Sequence, residues 1–309
     1  MKVCFMGLGS IAARHIKNLR SLYGPDMVID VVRSGKGKPI EEDLRKRIAH
    51  VYQKGGAIPS DYDVIFITNP TNLHYAALEQ MHGHGRHFFI EKPVFETGGE
   101  DVGRLKLRKD SVYYVACPLR YTNVIQYLKR EIDFSQIYSM RCISSSYLPQ
   151  WRPGVDYRNT YSARRELGGG VAMDLIHEWD YICHLIGSPV KVSSFMGKKS
   201  DLEMDSDDVA VYIAEYEDKM VEVHLDYFGR VPVRKIELYG RSQVIEADLL
   251  EQKITYKTTG ECVELYEDRD SYQKKELVHF FRIINGEIPN DNTILDGCRT
   301  LRIGRGGIG

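Results

Sequence analysis

The chain has no long block of charge of one sign. Lys+Arg total 42 against Asp+Glu 43, a formal net charge of -1 over 309 residues. That balance offers no electrostatic footprint for nucleic acid or an anionic membrane surface. No uninterrupted apolar run reaches membrane-spanning length, so no segment reads as a spanning helix. Cysteine is sparse as well: Cys4, Cys117, Cys142, Cys183, Cys262 and Cys298 stand singly, with no C-x-x-C spacing. Reduced, buried thiols are expected, not a disulfide framework. There is no repeat of fixed period and no low-complexity linker, and the first six residues run straight into a glycine turn, too short for a signal peptide. A cytoplasmic protein that handles small molecules is expected. Hydrophobic residues make up 43% of the chain, enough to give two domains of ordinary size their own cores.

Residues 2–6 read as a first strand, followed at once by Gly7-Leu8-Gly9-Ser10-Ile11-Ala12 and a helical pattern through Leu22. This is G-x-G-x-x-A between strand and helix. Gly7 permits the tight turn, Gly9 lets a pyrophosphate approach the backbone, and Ala12 keeps the helix close to the sheet. The free N–H groups at the helix start, over Ser10, Ile11 and Ala12, then bind the phosphates. A second strand, 28–32, leads to Arg33, Ser34 and Lys36. An acidic residue there would bond the ribose 2′-hydroxyl of NAD; arginine favours the 2′-phosphate of NADP, with Ser34 and Lys36 as helpers. Asp30, inside the strand, is the alternative ribose ligand.

A helix is expected over 41–52 and a buried strand over 62–68. The loop that follows, Thr68-Asn69-Pro70 to His74, lies at a strand's carboxyl end and so beside the nicotinamide half of a dinucleotide crevice. His74 reads either as a ligand there or as a packed residue at a helix start. His82, His84 and His87 sit in a Gly-rich turn without helical i,i+4 spacing, and no metal site is expected. Residues 88–94, Phe-Phe-Ile-Glu-Lys-Pro-Val, read as a buried strand that Pro93 stops at Lys92. Glu91 and Lys92 therefore reach the crevice, where an amine is well placed for proton transfer. Another helix is expected next, then a strand over 111–116.

A domain boundary is expected near residue 118, giving 1–118 as a dinucleotide-binding domain and 119–309 as a domain for substrate binding and oligomerisation. Beyond it, seven segments between 137 and 258 alternate like strands joined by short turns. The fold class is thus α/β: a Rossmann domain followed by an α+β domain with a large, mostly antiparallel, open-faced sheet. Helices over 175–186, 272–285 and 293–303 would cover one face. Tyr212, Tyr216, His224, Tyr227 and Phe228 suggest that the other, partly aromatic face pairs with a second copy, as a homodimer or homotetramer.

Gly168-Gly169-Gly170 precedes Val171-Ala172-Met173-Asp174-Leu175-Ile176-His177. Glycines allow close approach of backbone to ligand, and the next turn puts Asp174 and His177 on one helical face. A histidine held by a carboxylate is a proton-transfer constellation; a capping aspartate and a packed histidine are the other reading. Trp151, Arg152, Tyr157, Tyr161, Arg164 and Arg165 form an aromatic and cationic segment suited to stacking a sugar ring and holding a phosphate or carboxylate, or else to salt bridges. The glycines before Arg305 and after it suggest a disordered end.

Taken in order, G-x-G, Glu91-Lys92-Pro93 and the Gly-rich Asp174/His177 stretch make the chain resemble the Gfo/Idh/MocA oxidoreductases, the glucose-fructose oxidoreductase and inositol dehydrogenase family, over nearly its whole length. The resemblance implies an NAD(P)-dependent dehydrogenase or reductase acting on a secondary alcohol or ketone of a sugar, sugar acid, inositol or sugar nucleotide. It implies Lys92, Asp174 and His177 as the catalytic set that also meets the substrate, and Arg120 as the arginine after the last Rossmann strand, near cofactor and substrate. Asp174 and His177 are three apart where the family has four; Glu178 fills the four-residue spacing, while His177 and Asp180 keep the H-x-x-D spacing. The rival expectation is a non-catalytic nucleotide-binding regulator or scaffold of the same fold.

Overall fold

The computed structural model describes residues 1–35, 37 and 39–307. Two compact units emerge: residues 1–118 with 269–299, and residues 119–268 with 300–309.

In the first unit, β1 (Lys2–Met6), β2 (Val28–Arg33), β3 (Val51–Gln53), β4 (Tyr62–Ile67), β5 (Gly85–Ile90) and β6 (Tyr113–Val115) form one sheet in the order β3-β2-β1-β4-β5-β6. Every pairing is parallel. This is the doubly wound dinucleotide-binding order, which places ligands outside the strands' carboxyl ends. Helix α1 (Ser10–Tyr23) buries Ala12, Ile16 and Leu19 beside Phe5 and Phe66. The expected helix over 41–52 shrinks to α2 (Glu42–Arg45), because residues 49–53 join the sheet edge: Ala49 N–H donates to Ile29 O at 2.7 Å and Val31 N–H to His50 O at 3.0 Å. α3 (His74–Met81) follows β4. No α-helix follows Lys92 before β6; the glycines of that stretch leave only a 3-10 turn, Val102–Leu105, capped by Asp101. Residues 269–299, expected in the second domain, belong to the first. The reason is α7 (Ser271–Ile284), whose Leu277, Phe280 and Phe281 complete the first unit's core.

The second unit holds α4 (Asn123–Glu131), α5 (Val171–Asp174), α6 (His177–Ile186) and the strands β7 (Ile137–Tyr147), β8 (Lys191–Gly197), β9 (Val209–Glu215), β10 (Met220–Asp226), β11 (Phe228–Gly240), β12 (Val244–Asp248), β13 (Lys253–Tyr256) and β14 (Glu261–Glu264). They make an eight-stranded sheet in the order β14-β13-β12-β11-β7-β10-β9-β8, antiparallel except between β7 and β10. α8 (Ile294–Gly304) begins in the first unit and ends in the second.

Two expectations change here. Tyr212, Tyr216 and Tyr227 are buried, so these rings belong to the covered face of the sheet. The residues alternating with them are the exposed ones: Arg141, for example, pairs with Glu222 and Glu237 at 3.2 Å each. Gly306 and Gly307, which the sequence assigns to a disordered end, instead cap a helix. Gly306, at φ +73°, lets its own N–H bond Ile303 O and that of Gly307 bond Arg302 O, a Schellman cap on α8.

Candidate active site

The turn between β1 and α1 is built for a close-lying anion. Gly7 has φ +96°, and a Cβ there would stand 2.9 Å from the backbone N and Cα of Asn69, so only glycine fits. A Cβ on Gly9 would meet nothing within 4 Å, so the space beside it is open. Helix α1 has no side-chain cap and no acidic residue in its first turn, and its ladder starts with Ala13 N–H donating to Gly9 O at 3.0 Å. The N–H groups of Ser10, Ile11 and Ala12 precede that ladder, at the positive end of the helix. Glycine turn, bare helix start and open flank fit a pyrophosphate.

The neighbouring loops brace this turn. Thr68 Oγ1 donates to Met6 O at 3.2 Å and to Gly7 O at 3.1 Å. Asn69 packs on Gly7, and its Nδ2 donates to Leu73 O at 3.2 Å, closing the loop over Pro70. His74 is 1% exposed, with Nε2 2.9 Å from Asn69 O and Nδ1 3.2 Å from Val94 O. Burial lowers its pKa, and the neutral ring has a single N–H to donate to one of these carbonyls while it packs between the two loops. Arg33 ends β2, half-buried, and a Cβ on Gly37 would stand 2.8 Å from its Nη2; Ser34 is exposed and Lys36 lies outside the described residues. Asp30 does not face a ribose. It is fully buried and accepts from Tyr62 OH at 2.9 Å and His50 N–H at 3.1 Å. Close by, burial pushes the Cys4 thiol up to about 12.

β5 ends at Ile90, two residues before the sequence places its stop, which puts both Glu91 and Lys92 in the turn after it. Glu91 is buried, its N–H donating to Ile67 O at 3.0 Å and its Oε1 lying 2.6 Å from His15 Nε2. Lys92, half-exposed, precedes Pro93 through a cis peptide. His15 is a residue that sequence reasoning missed, although its spacing puts it on the buried stripe of α1 with Ala12, Ile16 and Leu19. The three histidines of the Gly-rich turn are each tied to backbone groups, at Lys106 O, Pro59 O and Val112 N.

In the second unit the glycine run leads into α5, which stops at Asp174; α6 starts at His177. Leu175, at φ -96° and ψ 29°, breaks the helix between them, so the two do not share one continuous helical face as the spacing suggests. Asp174 is 6% exposed and accepts from Tyr161 OH and, at 2.5 Å, from Tyr227 OH. Burial and the Asp174 charge raise both tyrosine pKa values, keeping both hydroxyls as donors. His177 is half-buried at the first position of α6. Glu178 is fully buried and receives Arg234 Nε at 2.7 Å, which makes it part of an ion pair with the sheet. Asp180 grips Arg120 through two bonds of 2.8 and 2.6 Å, both side chains under 5% exposed. The H-x-x-D spacing thus has a packing purpose on its aspartate side. Trp151, Arg152 and Tyr157 line one small cleft with Leu148, Val155, Thr160 and Ser162, with room for about a single water. Arg164 is engaged elsewhere, its Nε donating to Arg158 O at 2.9 Å.

A doubly wound parallel sheet with a bare glycine turn at its first helix, together with a large mixed sheet unit, is the build of a two-part α/β dinucleotide-binding protein. Residues 1–111 match the oxidoreductase family with an NAD-binding Rossmann fold, and residues 125–246 match the GFO/IDH/MocA C-terminal domain. The chain belongs to the Gfo/Idh/MocA oxidoreductase family. It is 24% identical over 327 residues to a Bacillus subtilis (strain 168) protein named uncharacterized oxidoreductase YrbE, covering 97% of this chain and 91% of that one. It is 28% identical over 134 residues to D-xylose dehydrogenase of Paenarthrobacter nicotinovorans, 42% of this chain and 34% of the relative. Among solved structures it resembles levoglucosan dehydrogenase in complex with NADH, with TM-score 0.80, 16% identity and coverage of 99% and 95%. It also resembles the WlbA dehydrogenase from Bordetella pertussis in complex with NADH and UDP-GlcNAcA, with TM-score 0.75, 15% identity and coverage of 99% and 96%. At those identities the structural likeness concerns the fold. Among the described residues no helix is long and apolar enough to cross a membrane.

Proposed function

We propose that the protein transfers a hydride between a nicotinamide cofactor and a secondary alcohol or ketone of a carbohydrate: a sugar, sugar acid, inositol or sugar nucleotide. The observation that carries the proposal is the glycine turn with its open flank at Gly9 and bare helix start. The relatives named for D-xylose and levoglucosan, and the one solved with UDP-GlcNAcA, support the carbohydrate class. When bound, the nicotinamide supplies the hydride donor or acceptor. His177 moves the proton of the reacting oxygen, Lys92 polarises that oxygen, and Asp174 with its two tyrosines fixes the segment that leads into His177. Those roles require Lys92 and His177 to reach one substrate oxygen. NADP is the cofactor form that a basic Arg33 supports, and its exchange for aspartate is expected to shift preference toward NAD. The exposed sheet residues, with Phe195 80%, Ile213 42% and Met220 44% exposed, support pairing with a second copy.

The test is titration of NADH and NADPH by fluorescence, followed by a carbohydrate panel read by nicotinamide absorbance. Lys92→Ala and His177→Ala are expected to keep cofactor affinity and lose turnover. Cofactor binding with no hydride transfer to any member of the panel would turn the assignment toward a regulator or scaffold.

A further inference from the structure

Glu91 is tied to the neighbourhood of the dinucleotide turn twice, and the two ties ask different things of the sequence. Its N–H donates to Ile67 O at 3.0 Å, and the residue after Ile67, Thr68, clasps Met6 O and Gly7 O. Any residue but proline could make that backbone bond. The second tie needs particular side chains. Glu91 Oε1 lies 2.6 Å from His15 Nε2, and His15 stands on α1 about one and a half turns past the bare start that fits a pyrophosphate. One helix therefore carries both the anion seat and a grip on the residue before Lys92.

The grip is tightly defined. His15 is 1% exposed and Glu91 9%. The imidazole is wedged in the core, edge-on to Phe89 at 5.1 Å and tilted over Phe66 at 6.1 Å. Its Nδ1 is buried with no partner among the described residues, so Nε2 carries the ring proton and donates it to Glu91. A buried polar pair adds little stability over two well-packed apolar side chains, and leucine would suit the same place on the buried stripe of α1. What an apolar pair cannot supply is direction. The hydrogen bond fixes the Glu91 carboxylate, and with it the backbone from which Lys92 leaves the end of β5.

We propose that His15 is a positioning residue: by holding Glu91 it keeps the turn that presents Lys92 in register with the dinucleotide seat. This rests on the dehydrogenase reading above, in which Lys92 polarises the reacting oxygen, and adds to it a residue too buried to touch a substrate. Loss of the tie leaves Gly7, Gly9 and the N–H groups at the start of α1 in place, so it acts on the chemical step and not on cofactor binding. A misplacement of about 1 Å at such a group costs on the order of 100-fold in rate.

Three variants of the full chain test this. His15→Gln reaches Glu91 with an amide N–H, His15→Asn is a methylene shorter and does not, and His15→Leu combined with Glu91→Met removes the tie without stranding a charge. Thermal melts, NADH titration, hydrogen exchange of the Glu91 amide by fragment-resolved mass spectrometry and turnover of the carbohydrate panel are compared with wild type. His15→Asn and the double variant should exchange that amide at least about tenfold faster and lose about 10- to 100-fold in kcat, with KM and NADH affinity within about threefold of wild type. His15→Gln should keep most of both. If His15→Asn does not fold, the double variant decides; a double variant that does not fold makes the pair a structural strut and overturns the proposal. So does wild-type exchange and kcat in either variant, an NADH affinity that falls as far as kcat, or a His15→Gln no better than His15→Asn. Should the wild type transfer hydride to no carbohydrate, the dehydrogenase reading fails alone, and the exchange rates still decide whether His15 holds the turn.

Discussion

Removing Arg120 should weaken the second unit severely. Its guanidinium and the Asp180 carboxylate are bonded at 2.6 and 2.8 Å with side chains 4% and 3% exposed. Arg120→Met therefore strands a buried carboxylate, a change that costs about 3–5 kcal/mol where one partner of a buried pair is lost. For a unit of this size each kcal/mol lowers the melting temperature by about 2–4 °C, so a fall of roughly 6–20 °C is expected. The chain has two tryptophans, Trp151 and Trp179, and both lie in the second unit, Trp179 next to Asp180 in α6 and fully buried. Tryptophan fluorescence therefore follows that unit alone, which avoids the ambiguity of a two-unit melt. Because a hydrophobic pair avoids the desolvation of two ions, Arg120→Met combined with Asp180→Leu should recover most of the loss. A single variant that melts within about 2 °C of wild type, or a double variant no better than the single, refutes the view of this pair as a buried strut.

The glycine turn yields a paired prediction. Gly7→Ala forces a left-handed alanine within 2.9 Å of Asn69 backbone and should destabilise the first unit, whereas Gly9→Val meets open space and should leave the melt unchanged while weakening NADH binding at least about tenfold. His74 makes stability depend on pH. Burial lowers its folded pKa below the usual value of 6.5, so the unfolded chain binds the proton first and the contribution, fully present above pH 6.5, is lost as pH falls below it. Calorimetric stability should decline there by up to about 1.4 kcal/mol per pH unit from this group, a slope that His74→Gln removes. Glu178→Gln should cost about 3 kcal/mol or more through the Arg234 left behind, again read by tryptophan fluorescence, without changing NADH affinity; a loss of cofactor affinity would restore Glu178 as a site residue.

Much of the fold was legible because its signals are local. The strand, glycine turn and helix at residues 2–23 follow from φ freedom and helical spacing, and period-two alternation marks the strands of the second sheet. Local signals also mislead where a segment's partner decides its form. Residues 49–52 fall inside the helix expected over 41–52 yet join the sheet edge beside β2, and Leu175 breaks what reads as one helix carrying Asp174 and His177. The alternation around Tyr212 says that its neighbours in sequence lie on opposite faces. It is silent on which face helices cover, and so on whether the aromatic face is the open or the covered one.

By itself the sequence determined the dinucleotide turn and the alternating segments of a second, mostly antiparallel sheet, since each depends on residues within a few positions of one another. Tertiary structure decided that α7 completes the first core, that His15 meets Glu91, that Tyr161 and Tyr227 share Asp174, and that Arg120 is bound to Asp180. An amphipathic stripe or a lone charge states that a partner is needed; only the folded chain, by bringing distant residues within bonding distance, says which partner it receives.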